Sequence, residues 1–120
     1  MQGLHLTADL RQCEGVALDD LARLRALCLE VVADAGLSVV GELFHPFAGA
    51  DGRALGVTGV LLLAESHLAL HTWPELRGVT ADVYVCNLGA DNSARAERAM
   101  ARLVEAFRPG LSRIERVHRG

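Results

Sequence analysis

The chain contains 120 residues with a mass of 12.8 kDa, and 51% of the residues are hydrophobic. This length predicts a single domain over residues 1–120. The net charge of −3 argues against a protein that binds nucleic acid or an anionic membrane. The longest apolar run, residues 60–64, is too short to cross a bilayer.

Lysine is absent from the chain, since all 12 residues of the Lys and Arg class are arginine. A lysine Schiff base to pyridoxal phosphate is therefore excluded, because the amine is missing. A Walker-type phosphate loop, which needs its lysine, is excluded for the same reason. An enzyme of this composition that acts on an amine must use an electrophile of another kind.

The three cysteines, Cys13, Cys28 and Cys86, are odd in number and include no C-x-x-C pair. No export signal precedes the first predicted element, so we expect reduced thiols and a cytoplasmic location. Cys13 and Cys28 are interpreted as small buried hydrophobic residues.

Hydrophobic periodicity predicts six strands and two helices. In chain order these are a strand over 4–10, a helix over 18–35, strands over 37–47, 57–64, 67–73 and 79–86, a helix that Asp91 or Asn92 caps and Pro109-Gly110 ends, and a strand over 112–118. The first helix is predicted to hold Asp19 and Asp20 in its first turn and to end at Gly36. Residues 48–55 form a glycine-rich loop, and the apolar run over 57–64 predicts a strand buried on both faces.

The order β-α-β-β-β-β-α-β predicts an α+β fold with a mostly antiparallel sheet and both helices on one face. Strand alternation places polar and titratable side chains together on the other face, namely His5, Asp9, His45, Phe47, His67, His71, Asp82 and Cys86. A chain this short with such a face is expected to form a homodimer, paired as an α/β/β/α sandwich. Within this set, His5 and His45 are interpreted as hydrogen-bonded scaffold.

Familiar catalytic and metal motifs do not fit. His67 and His71 have the spacing of a metal-binding helix, but the intervening residues predict a strand, so we expect no metal site. Ser66 lies in A-E-S-H, which is not the nucleophile elbow G-x-S-x-G. The glycines form no G-x-G-x-x-G, so a dinucleotide fold is unsupported.

Ser66 lies between Glu65 and His67 at the point where a buried strand meets the next strand. A tight turn there strains the backbone, and a hydroxyl beside a strained peptide bond can attack the preceding carbonyl. The segment GVTGVLLLAESHLALHTWPE, followed by ADVYVCN, resembles the prokaryotic S-adenosylmethionine decarboxylase proenzymes. The resemblance is weaker in LHLTADLRQC and ELFHPF, and covers most of the chain.

That resemblance implies a pyruvoyl-dependent decarboxylase of S-adenosylmethionine that supplies spermidine synthesis. The proenzyme would cleave itself between Glu65 and Ser66 into residues 1–65 and 66–120. Ser66 would become the pyruvoyl cofactor, which forms a Schiff base with the small-molecule substrate. A ketone conjugated to an amide is an electron sink, so this cofactor accounts for the missing lysine.

The resemblance also implies a role for each motif residue. His71 corresponds to the base that removes the α-proton during processing, and Thr58 to the hydroxyl that holds the processing intermediate. Cys86 corresponds to the proton donor to the substrate after CO₂ leaves. Phe47 corresponds to an aromatic that stacks on adenine, and Glu75 to a carboxylate near the ribose hydroxyls.

The segment AGADGRALGV at 48–57 is longer than expected for the family, which leaves the substrate open. Arginine or ornithine is an alternative substrate for the same chemistry, with Asp82, Glu42 or Asp51 as the carboxylate that binds its cation. A non-catalytic paralogue that binds or regulates a partner is a further alternative. Trp73 and Pro74 are interpreted as structural residues that shape the chain and end the strand, with no part in the chemistry.

Overall fold

The computed structural model describes all 120 residues and contains the six strands and two helices in the predicted order. The elements are β1 (Gly3–Arg11), α1 (Leu21–Asp34), β2 (Val39–Ala48), β3 (Ala54–Leu63), β4 (Ser66–Trp73), β5 (Gly78–Cys86), α2 (Ser93–Phe107) and β6 (Leu111–Arg119). A short 3₁₀ turn, Pro74–Leu76, joins β4 to β5. No helix is long and apolar enough to span a membrane.

The six strands form one sheet in the order β2-β3-β4-β5-β1-β6, and every neighbouring pair is antiparallel. Strands β2 to β5 form a meander, and β1 lies between β5 and β6. The predicted α+β class is therefore confirmed. Strand β4 is central, so its backbone is paired on both sides, whereas β2 and β6 are the edges.

Both helices pack on one face of the sheet, as predicted. Alternate residues of the strands point toward them, including Leu6, Leu61 and Leu68, which are fully buried. The predicted stripe of α2 is confirmed, since its apolar residues are the buried ones: Ala96, Ala99, Met100, Leu103 and Phe107. The opposite face of the sheet, which we call the open face, carries no helix.

The first helix begins at Leu21, three residues later than predicted, because Asp20 is its N-cap. The Asp20 side chain accepts a hydrogen bond from the backbone N–H of Arg23, so Asp19 and Asp20 precede the helix and do not lie in its first turn. Gly36 follows the helix with φ of +79°, as a residue that ends a helix should.

The prediction that β3 is buried on both faces is wrong for the single chain. Leu61 and Leu63 lie under the helices, but Leu62 is 51% exposed and Val60 is only partly buried. The two residues belong to the open face, beside the exposed Leu43 of β2. The open face therefore has an apolar region on β2 and β3 that nothing in one chain covers.

The glycine-rich loop is shorter than predicted, because β2 extends to Ala48 and β3 begins at Ala54. Inside the loop, the Asp51 carboxylate accepts a hydrogen bond from the backbone N–H of Arg53. This bond directs the chain back toward the sheet.

Candidate active site

The turn between β3 and β4 consists of two residues, Ala64 and Glu65, because Leu63 pairs directly with Ser66. Glu65 adopts φ of +58°, a left-handed conformation that is uncommon for residues other than glycine, asparagine and aspartate. The peptide bond that precedes Ser66 is thus held by a strained residue at the end of a central strand.

Ser66 is held in place by the end of β5. Its Oγ accepts a hydrogen bond of 3.2 Å from the backbone N–H of Cys86. Cys86 is 8% exposed, and its Sγ accepts from the N–H of Leu88 at 3.4 Å. Because the Ser66 oxygen accepts this bond, its own proton remains available to a base.

Thr58 and His71 form a second group, on neighbouring strands. They are direct cross-strand partners on β3 and β4, and Thr58 Oγ1 lies 3.0 Å from His71 Nδ1. The ring of His71 is exposed on the open face, with the Trp73 ring centroid 6.0 Å away.

The structure does not bring these two groups together within one chain. Ser66 and His71 are five residues apart along β4, a separation of about 16 Å at the usual strand rise. The predicted residues thus form two half-sites, one with Ser66 and Cys86 and one with Thr58 and His71.

A cleft of about 580 Å³ opens beside the Thr58–His71 half-site. It is lined by Phe47, Arg53, Leu55, Gly56, Thr58, His71, Thr72, Trp73 and Glu75. Both residues that we predicted to bind substrate, Phe47 and Glu75, are among them. Phe47 is 49% exposed and lies against His45, with ring centroids 4.8 Å apart, so a face of the aromatic ring is free to stack.

Thr72 fixes the floor of this cleft, and sequence analysis did not single it out. It is the one buried polar residue of the core, donating to the carbonyl of Leu18 at 2.6 Å and accepting from the N–H of Val57 at 2.9 Å. Gly56 allows the approach, because a Cβ there would lie 1.9 Å from the Thr72 carbonyl oxygen. The signal was a threonine at an inward position of an otherwise apolar strand face.

Arg53, which also lines the cleft, was missed as well, since a single arginine in a polar loop gives no sequence signal.

Two of the carboxylates proposed for an arginine or ornithine substrate are engaged elsewhere. Glu42 pairs with Arg25, and Asp51 holds the backbone of its own loop.

The third of those carboxylates, Asp82, lies on the open face between two imidazoles. Its Oδ2 is 2.8 Å from His5 Nε2 and 2.7 Å from His67 Nε2. Arg119 approaches His5 Nδ1 at 3.1 Å, and a guanidinium only donates, so Nδ1 accepts and the His5 proton is on Nε2. The expected hydrogen-bonded role of His5 is confirmed.

Cys13 and Cys28 are buried, as predicted. Burial raises the pKa of the Cys28 thiol to about 12 and also raises the pKa of Cys13. Neither thiol lines the cleft.

Comparison with known proteins assigns this arrangement to a family. The model of the S-adenosylmethionine decarboxylase family matches residues 4–120. The chain belongs to this family. The S-adenosylmethionine decarboxylase proenzyme of Symbiobacterium thermophilum is 37% identical over 119 residues, covering 94% of this chain and 86% of that protein. The proenzyme of Pyrococcus horikoshii is 30% identical over 118 residues, covering 98% of this chain and 78% of that protein.

A solved structure shows that the fold is shared as well. The adenosylmethionine decarboxylase of Aquifex aeolicus superposes with a TM-score of 0.85 at 33% identity, covering 98% of this chain and 90% of that one. The resemblance that the E-S-H and H-T-W-P-E motifs indicated is therefore confirmed.

Proposed function

We propose that this chain is a self-cleaving, pyruvoyl-dependent decarboxylase of S-adenosylmethionine, whose product supplies the aminopropyl group of spermidine. The observation that carries the proposal is the strained Glu65 beside a Ser66 whose oxygen is already held by Cys86. The relatives described as proenzymes support it.

Self-cleavage follows from the position of Ser66. Its Oγ attacks the Glu65 carbonyl carbon, the peptide C–N bond breaks, and an ester replaces it. Removal of the α-proton of residue 66 then expels the Glu65 carboxylate, which ends the fragment 1–65. The dehydroalanine left on fragment 66–120 takes up water and loses ammonia, which leaves the pyruvoyl group.

The base for that proton must come from a second copy of the chain. His71 of the same chain is about 16 Å away along an ordered central strand. If two open faces pack together, the Thr58–His71 half-site of one copy can meet the Ser66–Cys86 half-site of the other. When His71 Nδ1–H donates to Thr58 Oγ1, Nε2 presents its lone pair as the base.

The open face is suited to such a homodimer, an α/β/β/α sandwich. Leu43 and Leu62 are 69% and 51% exposed in the single chain, and they adjoin the polar centre of the sheet. Burial of these side chains against a second sheet would give each copy the apolar contact that β3 lacks.

In the mature enzyme, the pyruvoyl group would act as the electron sink for the carbanion that remains when CO₂ departs. Cys86 returns a proton to the substrate α-carbon. Phe47 stacks on the adenine, and the Glu75 carboxylate accepts hydrogen bonds from the ribose hydroxyls. A thiol in this role must stay reduced, which supports a cytoplasmic location.

The lining of the cleft favours S-adenosylmethionine over arginine or ornithine. A guanidinium or ammonium group is bound best by carboxylates, but the cleft contains the cation Arg53 and only one carboxylate, Glu75. An aromatic face on Phe47 instead fits a nucleoside.

The test is the intact mass of the purified chain, followed by release of ¹⁴CO₂ from carboxyl-labelled S-adenosylmethionine, arginine and ornithine. We expect fragments of residues 1–65 and 66–120 and release from S-adenosylmethionine alone. Ser66→Ala is the control and should remain one chain. A wild-type chain that stays intact would contradict the proposal. Release of ¹⁴CO₂ only from arginine or ornithine would show that S-adenosylmethionine is not the substrate.

A further inference from the structure

Self-cleavage creates a difficulty that the fold must solve, and this argument rests on the proposed function. Cleavage would cut the turn between β3 and β4, so residue 66 becomes a chain terminus. Strand termini fray unless something holds them. The pyruvoyl group would be attached to the backbone nitrogen of His67, so any freedom of that residue moves the reactive ketone.

The side chain of His67 is fixed by a contact that spans the strands. His67 lies on β4 and Asp82 on β5, one pair further along, since Tyr84 is the direct partner of His67. The imidazole reaches diagonally, and its Nε2–H donates to Asp82 Oδ2 at 2.7 Å. The Tyr84 ring lies beside the imidazole, with centroids 5.8 Å apart.

Asp82 is itself held from the far side. His5 of β1 donates to the same Oδ2 at 2.8 Å, and Arg119 of β6 approaches the other nitrogen of His5. The Arg119 guanidinium also lies 5.8 Å from the centre of the Tyr84 ring. The carboxylate thus links the first residues of β4 to three strands that the cleavage does not touch.

We infer that Asp82 is a positioning residue, which fixes the His67 imidazole and thereby the pyruvoyl group on the His67 nitrogen. A carboxylate that accepts from two imidazoles is anchored more firmly than one that accepts from a single exposed donor. The anchor acts after cleavage, because before cleavage the intact turn already restrains residue 66.

The test compares His67→Ala and Asp82→Ala with His5→Ala, a matched change on the same carboxylate that leaves the His67–Asp82 bond in place. Intact mass should show self-cleavage in all three. Both His67→Ala and Asp82→Ala should lower kcat by roughly 10- to 100-fold with KM within about threefold, because the reacting group is misplaced and the cleft is unchanged. His5→Ala should lower kcat by about threefold, less than either of the other two, because it removes one of the two donors to Asp82 but leaves the His67–Asp82 bond in place.

Hydrogen exchange supplies a readout that is independent of activity. Amides at the start of fragment 66–120 should exchange faster in His67→Ala and Asp82→Ala than in His5→Ala. Asp82→Asn keeps an acceptor oxygen and should restore much of both properties. If an alanine variant fails to fold, His67→Phe is tested in its place, because it keeps a ring beside Tyr84 but lacks the N–H donor.

Two outcomes separate this inference from the proposed function. A wild-type chain that never cleaves removes both. The anchor alone is overturned if His67→Ala and Asp82→Ala cleave normally and keep the wild-type kcat and hydrogen-exchange rates. It is also overturned if all three variants lose the same factor in kcat.

Discussion

At the scale of single residues, the proposed function gives Cys86 one role in processing and another in turnover. Cys86 holds Ser66 through its backbone N–H, which Cys86→Ser retains, whereas proton return would use the side chain. We therefore expect Cys86→Ser to cleave normally but to lose about 100-fold in kcat, since a hydroxyl is a far weaker acid than a thiol. Mass spectrometry and ¹⁴CO₂ release measure the two steps, with Cys13→Ala as control, and wild-type turnover would contradict the assignment.

The position of a single residue could be predicted only where the residue belongs to a periodic pattern in the sequence. Alternation placed His5, His67 and Asp82 on the open face but gave no sign that one oxygen joins them, because the contact runs diagonally between strands. Arg53 could not be predicted, since its place in the cleft depends on how the loop folds back. Ser66 and His71 were grouped by motif, because the predicted strand began at residue 67 and did not show that both residues lie five positions apart on one strand.

At the scale of elements, the close contact of β3 and β4 shapes the cleft. Gly56→Ala would bring a Cβ against the Thr72 carbonyl, and backbone cannot yield as a side chain can. We expect this variant to lose about 1–3 kcal/mol of unfolding free energy and to cleave more slowly, because the Thr58–His71 pair shifts. Gly41→Ala is the matched control, since its Cβ would meet only the flexible end of Leu62 at 3.3 Å. Equal chemical-denaturation midpoints for the two variants would refute this.

The elements themselves were largely predictable, because their patterns are regular. The order of the elements and the buried stripe of α2 followed from periodicity. The start of α1 differs from the prediction because the cap residue lies outside the helix. The prediction that β3 is buried on both faces was wrong for the single chain, since the sequence shows which residues are apolar but not whether anything covers them.

At the scale of the whole molecule, self-cleavage as proposed requires that two copies of the chain combine their half-sites. An apolar region around Leu43 and Leu62 and a polar centre lie on a face with no helix, and neither half-site is complete alone. Sedimentation should therefore show a dimer, and Leu62→Glu should shift it toward monomer and suppress self-cleavage by placing a charge in the interface. A monomeric Leu62→Glu chain that cleaves at the wild-type rate would contradict this.

The most direct measurement mixes two inactive chains. Ser66→Ala lacks the proposed nucleophile and His71→Ala lacks the proposed base, so each alone should stay intact. In a mixed dimer, Ser66 of the His71→Ala chain would meet His71 of the Ser66→Ala chain and restore one complete site. With random pairing after co-expression, we expect mass spectrometry to find about half of the His71→Ala chains cut between Glu65 and Ser66. If neither chain is cut although mixed dimers form, the two half-sites do not combine across subunits.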